Sequence, residues 1–213
     1  MEIQEMLMKA LVGLDNKRER SQQTEIGVSS VGGCRRQVYF QLNDEPKVNE
    51  TLRLPSIMGT ALHGHIEKAL THYDFGSFDL EIEVEYEGLK GHIDCYIPEF
   101  GAVIDWKTTK KSSMTKFPDN QQRWQVQLYG YLLSKTDRKI ETVSLVAIAR
   151  DGDERHIVVH TEKFDEAIAL EALAWLQDVK AMTSPPPPER SAFQFCKHYC
   201  VYYGDNCQGK GRQ

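Results

Sequence analysis

The sequence predicts a mixed α/β fold, and three observations carry that prediction. Residues 79–108 alternate apolar and polar side chains with period two, as half-buried strands do. Segments with apolar residues at helical spacing flank this stretch, over 56–73 and 121–134. A continuous apolar run at 142–149 (TVSLVAIA) then has the length and β-branched content of a buried strand. With 213 residues, 40% hydrophobic and 27% charged, the chain has material for one sizeable domain and none of the signature of disorder.

The elements follow in order. Ile3, Met6, Leu7, Ala10, Leu11 and Leu14 recur at helical spacing until the charged segment 15–20, which predicts an N-terminal docking helix within a unit 1–25. Residues 26–42 begin with small turn formers and continue as a short apolar helix, with Cys34 at its N-terminal end. Pro55 precedes a helix over 56–73 whose face of Ile57, Ala61, Leu62, Ile66, Ala69 and Leu70 should meet the core. Strands are expected at 79–86, 89–97 and 102–108, turning at Glu87-Gly88 and across 98–101. A helix over 121–134 leads to the strand 142–149, and 156–160 (HIVVH) is its hairpin partner. Ile168, Ala172, Trp175, Leu176 and Val179 mark a helix over 164–182, which closes a core unit of 26–184. Pro185 to Pro188 then stiffen the chain into a linker leading to a cysteine-rich tail, 185–213.

Charge and hydropathy exclude several classes. The formal net charge of -5 gives no global basic field for nucleic acid or anionic membrane, so any DNA contact must be a local groove. No apolar run approaches the ~18 residues of a membrane span, and the first residues carry neither a basic n-region nor a cleavage site, so a cytoplasmic protein is expected. Five cysteines, an odd number, point to metal or redox use rather than to a disulfide framework.

The chemistry is concentrated in acidic and basic residues on the predicted strands. Asp105 and Lys107, two apart on one strand, project to the same face. Asp94 lies on the preceding strand, and the hairpin brings its carboxylate near that of Asp105. Two such carboxylates repel unless a divalent cation neutralises them. A cation there would hold a scissile phosphate and activate water, Lys107 would orient that water or offset developing charge, and His63 would supply a nitrogen ligand. Taken singly, a strand Asp-x-Lys is an ordinary ion pair and a helix histidine an ordinary core residue; their co-occurrence in this order is the signal.

A second constellation is Cys196, Cys200 and Cys207, with three and then six intervening residues, to which Cys34 adds a fourth thiol. Four thiolates suit Zn²⁺ or an iron–sulfur cluster, and the residues leave both open, with His198 able to replace one thiol at zinc. Cys95 reads as a small buried hydrophobe.

Gly59-Thr60-Ala61-Leu62-His63, Gly91-His92-Ile93-Asp94, Asp105-Trp106-Lys107 and Gln125-Val126-Gln127-Leu128-Tyr129 together resemble the PD-(D/E)xK nuclease superfamily, in the RecB-like branch of CRISPR-associated and phage-type iron–sulfur exonucleases. The resemblance spans residues 26–207 and implies a restriction-endonuclease-like core, a mixed central sheet flanked by helices, with an iron–sulfur-stapled C-terminal tail. It implies Mg²⁺ or Mn²⁺ held by His63, Asp94, Asp105 and the backbone carbonyl of Trp106, and Lys107 as the catalytic lysine. Gln125 and Tyr129, one helical turn apart, would position that lysine or the DNA. Glu67 would support His63, while Glu83 and Glu85 belong to the outer strand face. Between the two cysteine chemistries the resemblance selects [4Fe-4S] on Cys34, Cys196, Cys200 and Cys207, although the family's trio is tighter by one residue in each gap.

Lys110, Lys111 and Lys116 after the third strand, and Arg35 and Arg36 beside Cys34, are candidate phosphate contacts, and Trp124 and Phe117 candidate stacking platforms for bases. The expected function is a metal-dependent DNA exonuclease preferring single-stranded ends. An end-processing or endonucleolytic nuclease within a recombination or CRISPR-adaptation complex is the nearest alternative. A non-catalytic iron–sulfur or zinc DNA-binding subunit and a redox protein are alternatives of other classes; intact Asp94, Asp105 and Lys107 argue against the first of these two.

Overall fold

A computed structural model describes residues 2–17, 25–73 and 76–211, so the expected charged end of the first helix at 18–20, most of the link to residue 25 and the last two residues of the tail lie outside the described residues. The elements are α1 (Ile3–Asn16), β1 (Ile26–Gly27), α2 (Arg35–Leu42), α3 (Leu54–His72), β2 (Asp79–Tyr86), β3 (Leu89–Ile97), β4 (Ala102–Thr109), α4 (Asn120–Ser134), β5 (Thr142–Ala149), β6 (Ile157–Lys163), α5 (Glu166–Lys180) and the single turn α6 (Lys197–Tyr199).

The strands form one six-stranded mixed sheet in the order β1-β3-β4-β5-β6, with β2 on β3. β2 and β3 close a two-residue hairpin at Glu87-Gly88, where φ values of 49° and 75° give the positive-φ pair that matches the twist of the flanking strands. β3 then pairs antiparallel with β4 only through Cys95, Tyr96 and Ile97. Beyond that point β4 runs on beside β5 in parallel as far as Thr109, and β3 keeps β2 as its neighbour. The two central strands therefore fork, and Asp94 is the first residue of β3 inside the fork.

α4 supplies the core. A capping box between Asp119 and Gln122 starts it, and every residue from Gln125 to Leu133 is buried. A helix enclosed all round is one packed on several sides, here against the sheet, α5 and the residues around Val28. Each fully buried aliphatic such as Leu128 or Leu133 contributes about 1.5–3 kcal/mol by leaving water. α5 covers α4 with Ala169, Ala172, Trp175, Leu176 and Val179, the face expected from periodicity. One buried polar residue of α4, Gln127, ties the outer strand to α5: its amide nitrogen donates to Glu162 Oε1 at 2.9 Å and its amide oxygen accepts from Asp165 N–H at 2.9 Å. Arg123 completes this joint by donating to Glu162 Oε2 at 2.9 Å.

Three expectations are corrected. α1 forms, but Ile3, Met6, Leu7 and Leu14 are exposed; its anchor is Asp15, buried and paired with Arg53. α3 forms, yet only Gly59 on it is buried and Ala61 is exposed, because one side of the helix meets β4 while the rest lies at the rim. The last strand is Ile157–Lys163, shifted towards the C-terminus; it pairs antiparallel with β5 as expected, and Ile157, Val158 and Val159 are exposed on this edge.

The tail folds back on α2. Cys196, Cys200 and Tyr202 pack with Phe40 in a second small apolar cluster, separate from the main core. Leu52 N–H donates to His198 O, and Val48 and Asn49 N–H donate to Val201 O, so the segment after α2 is laced to the tail by its backbone. Among the described residues no helix is long and apolar enough to cross a membrane.

Candidate active site

The fork between β3 and β4 leaves backbone groups of β4 without a strand partner on that side, and a side chain takes one of them up. Trp106 N–H donates to Asp94 Oδ2 at 2.7 Å. Asp94 thus replaces a rung of the ladder, and its other oxygen, Oδ1, lies 3.3 Å from His63 Nδ1. His63 reaches this position because Gly59, one helical turn earlier, lets α3 approach β4: a Cβ there would stand 3.1 Å from Thr108 Oγ1.

Asp105 and Lys107 project together from β4, with Lys107 Nζ 2.7 Å from Asp105 Oδ2. Gln125 links the strand pair to α4. Its oxygen accepts from Lys107 Nζ at 2.9 Å, and its nitrogen lies 3.2 Å from Asp105 Oδ1 and 3.1 Å from the Tyr129 hydroxyl. Tyr129 is buried against Gly91, where a Cβ would come within 2.6 Å of the tyrosine ring. The structure therefore brings His63, Asp94, Asp105, Lys107, Gln125 and Tyr129 into one connected set.

The electrostatics of this set are unfavourable as they stand. Asp94 and Asp105 are 4% and 2% exposed. Burial, reinforced by the charge of Asp94, pushes the Asp105 carboxyl above the usual carboxylate range despite Lys107. Burial pulls the His63 imidazole down, but its bond to Asp94 and the charges of Asp94 and Asp105 outweigh this and hold it above the usual imidazole value. Asp105 Oδ2 is buried, with the Lys107 ammonium at 2.7 Å as its charged neighbour. An imidazole and hard carboxylate oxygens gathered at one place fit a divalent cation.

One acidic residue absent from the sequence motifs also reaches the site. Ligand atoms of His63, Glu81 and Asp94 all lie within 4.8 Å of one another. In the sequence Glu81 is indistinguishable from Glu83 and Glu85, the alternating acids of β2. Its distinguishing signals are structural: it stands opposite Asp94 between the pairs Leu80–Cys95 and Ile82–Ile93, and its φ is +50°. Glu67, by contrast, is exposed.

The candidate DNA contacts divide. Lys110, Lys111 and Lys116 are exposed along the turn that follows β4. Arg35 is 2.7 Å from Glu189 and lies over the Trp175 ring, while Arg36 donates to the carbonyls of Pro186 and Asn206. Both arginines thus serve to fasten the tail, where a basic pair near an expected groove had suggested phosphate. Trp124 and Phe117 pack against the main core, Trp124 edge-on to Trp175 at 6.4 Å, so neither is a free stacking surface.

Cys34, Cys196, Cys200 and Cys207 line one pocket together with Arg36, Phe40 and Arg190. Burial and the other three cysteines push the Cys196 thiol up to about 11. Cys95 lies apart, fully buried in β3, its thiol pushed up to about 12 by burial, as a small core residue would be.

A protein-family model for the PD-(D/E)XK nuclease superfamily matches residues 66–204. The chain belongs to that superfamily. The match contains Asp94, Asp105, Lys107, Gln125 and Tyr129 of this nuclease, while His63 and Cys34 precede it. Solved structures of similar fold include SSO0001, with a TM-score of 0.60 at 22% identity over 95% of each chain. They also include the alkaline exonuclease LHK-Exo from Laribacter hongkongensis, with a TM-score of 0.51 at 12% identity over 76% of this chain and 91% of that one. LHK-Exo in complex with dAMP superposes equally, at 0.51 and 14% identity, over 76% of this chain and 90% of that one. The six-stranded sheet with helices around it is thus the restriction-endonuclease-like core of the superfamily. A comparison with curated proteins gives no match.

Proposed function

We propose that this nuclease is a Mg²⁺- or Mn²⁺-dependent DNA exonuclease acting preferentially on single-stranded ends. The observation that carries the reading is the bonded set Asp94, Asp105, Lys107 and Gln125 at the mouth of the strand fork, joined by His63. His63, Asp94, Asp105 and the Trp106 carbonyl would hold the cation, whose role when bound is to neutralise phosphate charge and lower the pKa of a water. Lys107, held by Gln125 and Asp105, is oriented to stabilise charge on a non-bridging phosphate oxygen. Tyr129 fixes Gln125 from beneath, so the ammonium is directed by two buried side chains. Lys110, Lys111 and Lys116 offer sequence-independent contacts to the strand being degraded. The structure of LHK-Exo in complex with dAMP accords with a site that accommodates a nucleotide terminus.

The four cysteines would hold a [4Fe-4S] cluster, with Zn²⁺ as the alternative occupant of the same thiolates. A donor set of four thiols around one pocket supports either, and iron and sulfide content of anaerobically purified protein separates them.

The activity test uses DNA labelled separately at each end, single- and double-stranded, with Mg²⁺, Mn²⁺ or chelator. Stepwise, metal-dependent release of nucleotides from one end, faster on single strands and lost in Asp105→Ala, is expected. Cleavage at internal positions only, or no cleavage by folded wild-type protein, overturns the exonuclease reading.

A further inference from the structure

We propose that Glu81 is a cation ligand of this active site, holding a divalent cation together with His63 and Asp94. The inference rests on the metal-dependent reading above and extends it to a residue from a different strand. Its first support is distance: the ligand atoms of the three residues lie within 4.8 Å of one another, close enough for one ion to touch all of them.

The second support is direction. Asp94 Oδ2 is engaged by Trp106 N–H, which leaves Oδ1, the atom 3.3 Å from His63 Nδ1, as the oxygen facing the cluster. Asp105 contacts Lys107 and Gln125 on the β4 side of the fork. Glu81, standing opposite Asp94 in the β2–β3 register, is therefore the carboxylate that completes a ligand set on the His63 side of the fork.

The third support is charge. Asp94, Asp105 and Glu81 place three carboxylates in one neighbourhood, beside Lys107 and His63. Carboxylates so gathered repel unless a cation joins them. The backbone agrees with this placement: the register of β2 and β3 is unbroken on either side of Glu81 and Asp94, so the two side chains share a face of the sheet.

The test measures Mn²⁺ binding to the full chain by titration calorimetry, without DNA, so that turnover plays no part in the readout. Glu81→Gln is compared with Glu83→Gln, an exposed acid two residues along the same strand. Loss of a charged ligand is expected to weaken Mn²⁺ binding about tenfold or more in Glu81→Gln and by less than about twofold in Glu83→Gln. Wild-type affinity in Glu81→Gln, or equal weakening in both variants, overturns the inference while leaving the metal-dependent reading standing. Failure of the wild type to bind Mn²⁺ at all overturns both. Should Glu81→Gln lose its circular dichroism signature, Glu81→Asp, which keeps the charge and shortens its reach, replaces it with the same expectation and the same overturning result.

Discussion

Asp94 performs two tasks with its two oxygens, one closing the backbone of β4 and the other facing His63, and this division depends on the exact opening of the fork. Gly91 sets that opening from below, because Tyr129 lies where a Cβ would be. Gly91→Ala is expected to cost about 1–3 kcal/mol through overpacking. For a chain of this size that lowers Tm by about 2–4 °C per kcal/mol. Displacing Tyr129 also loosens Gln125 and hence Lys107, so DNA cleavage assayed well below Tm should fall by more than the unfolded fraction accounts for. Cleavage equal to wild type in the folded variant would mean that Tyr129 does not act through Gln125. The residues of this set were legible in the sequence because their order and spacing survive in one dimension. Glu81 was not, since a glutamate among alternating glutamates carries no mark of its backbone conformation. Arg35 and Arg36 were misleading for a related reason: their partners, Glu189 and the carbonyls of Pro186 and Asn206, lie in the distant tail.

At the scale of elements, strand limits were readable where turn chemistry and period-two alternation coincide, as from β2 through β4. Periodicity reports that a helix has an apolar face, not how much of that face a neighbour covers, which is why α3 and α1 are more exposed than their patterns suggested. The joint between β6, α4 and α5 gives a testable pH dependence. Burial opposes ionisation of Glu162, but hydrogen bonds from Gln127 and Arg123, the charge of Arg123 and His160 outweigh it and hold its carboxyl below the usual range. A depressed carboxylate stabilises the fold fully above its unfolded value and ceases to do so as pH falls through the lower, folded value. Thermal melts from pH 6 down to pH 3 should therefore show a steeper loss for wild type than for Glu162→Gln, which lacks the ionisable group. Parallel curves in that window would remove Glu162 from the acid response.

Over the whole molecule, the tail is attached through the small cluster at Phe40, through Arg35 and Arg36, through backbone bonds to Val48, Asn49 and Leu52, and through Arg190 to Gln121 of α4. If the four cysteines hold a cluster, it reinforces that attachment by joining Cys34 to the tail. Cys200→Ala should then lose bound iron and lower Tm by several degrees, while iron content and Tm both at wild-type level would refute it. The fork itself should persist in such a variant, because its strands are fixed by α4 and the sheet.

The wide sequence separation of Cys34 and Cys207 bears on how the protein is made. The pocket they share joins residues of very large sequence separation, which raises contact order and loop-closure entropy together. During vectorial synthesis the sheet and α4 emerge before Cys196, Cys200 and Cys207 leave the ribosome. Until then Phe40 and Cys34 are without the apolar partners that cover them in the finished fold. The thiol pocket therefore closes after the sheet, and the nascent nuclease passes through an interval in which its sheet is assembled but its closing seam is still open.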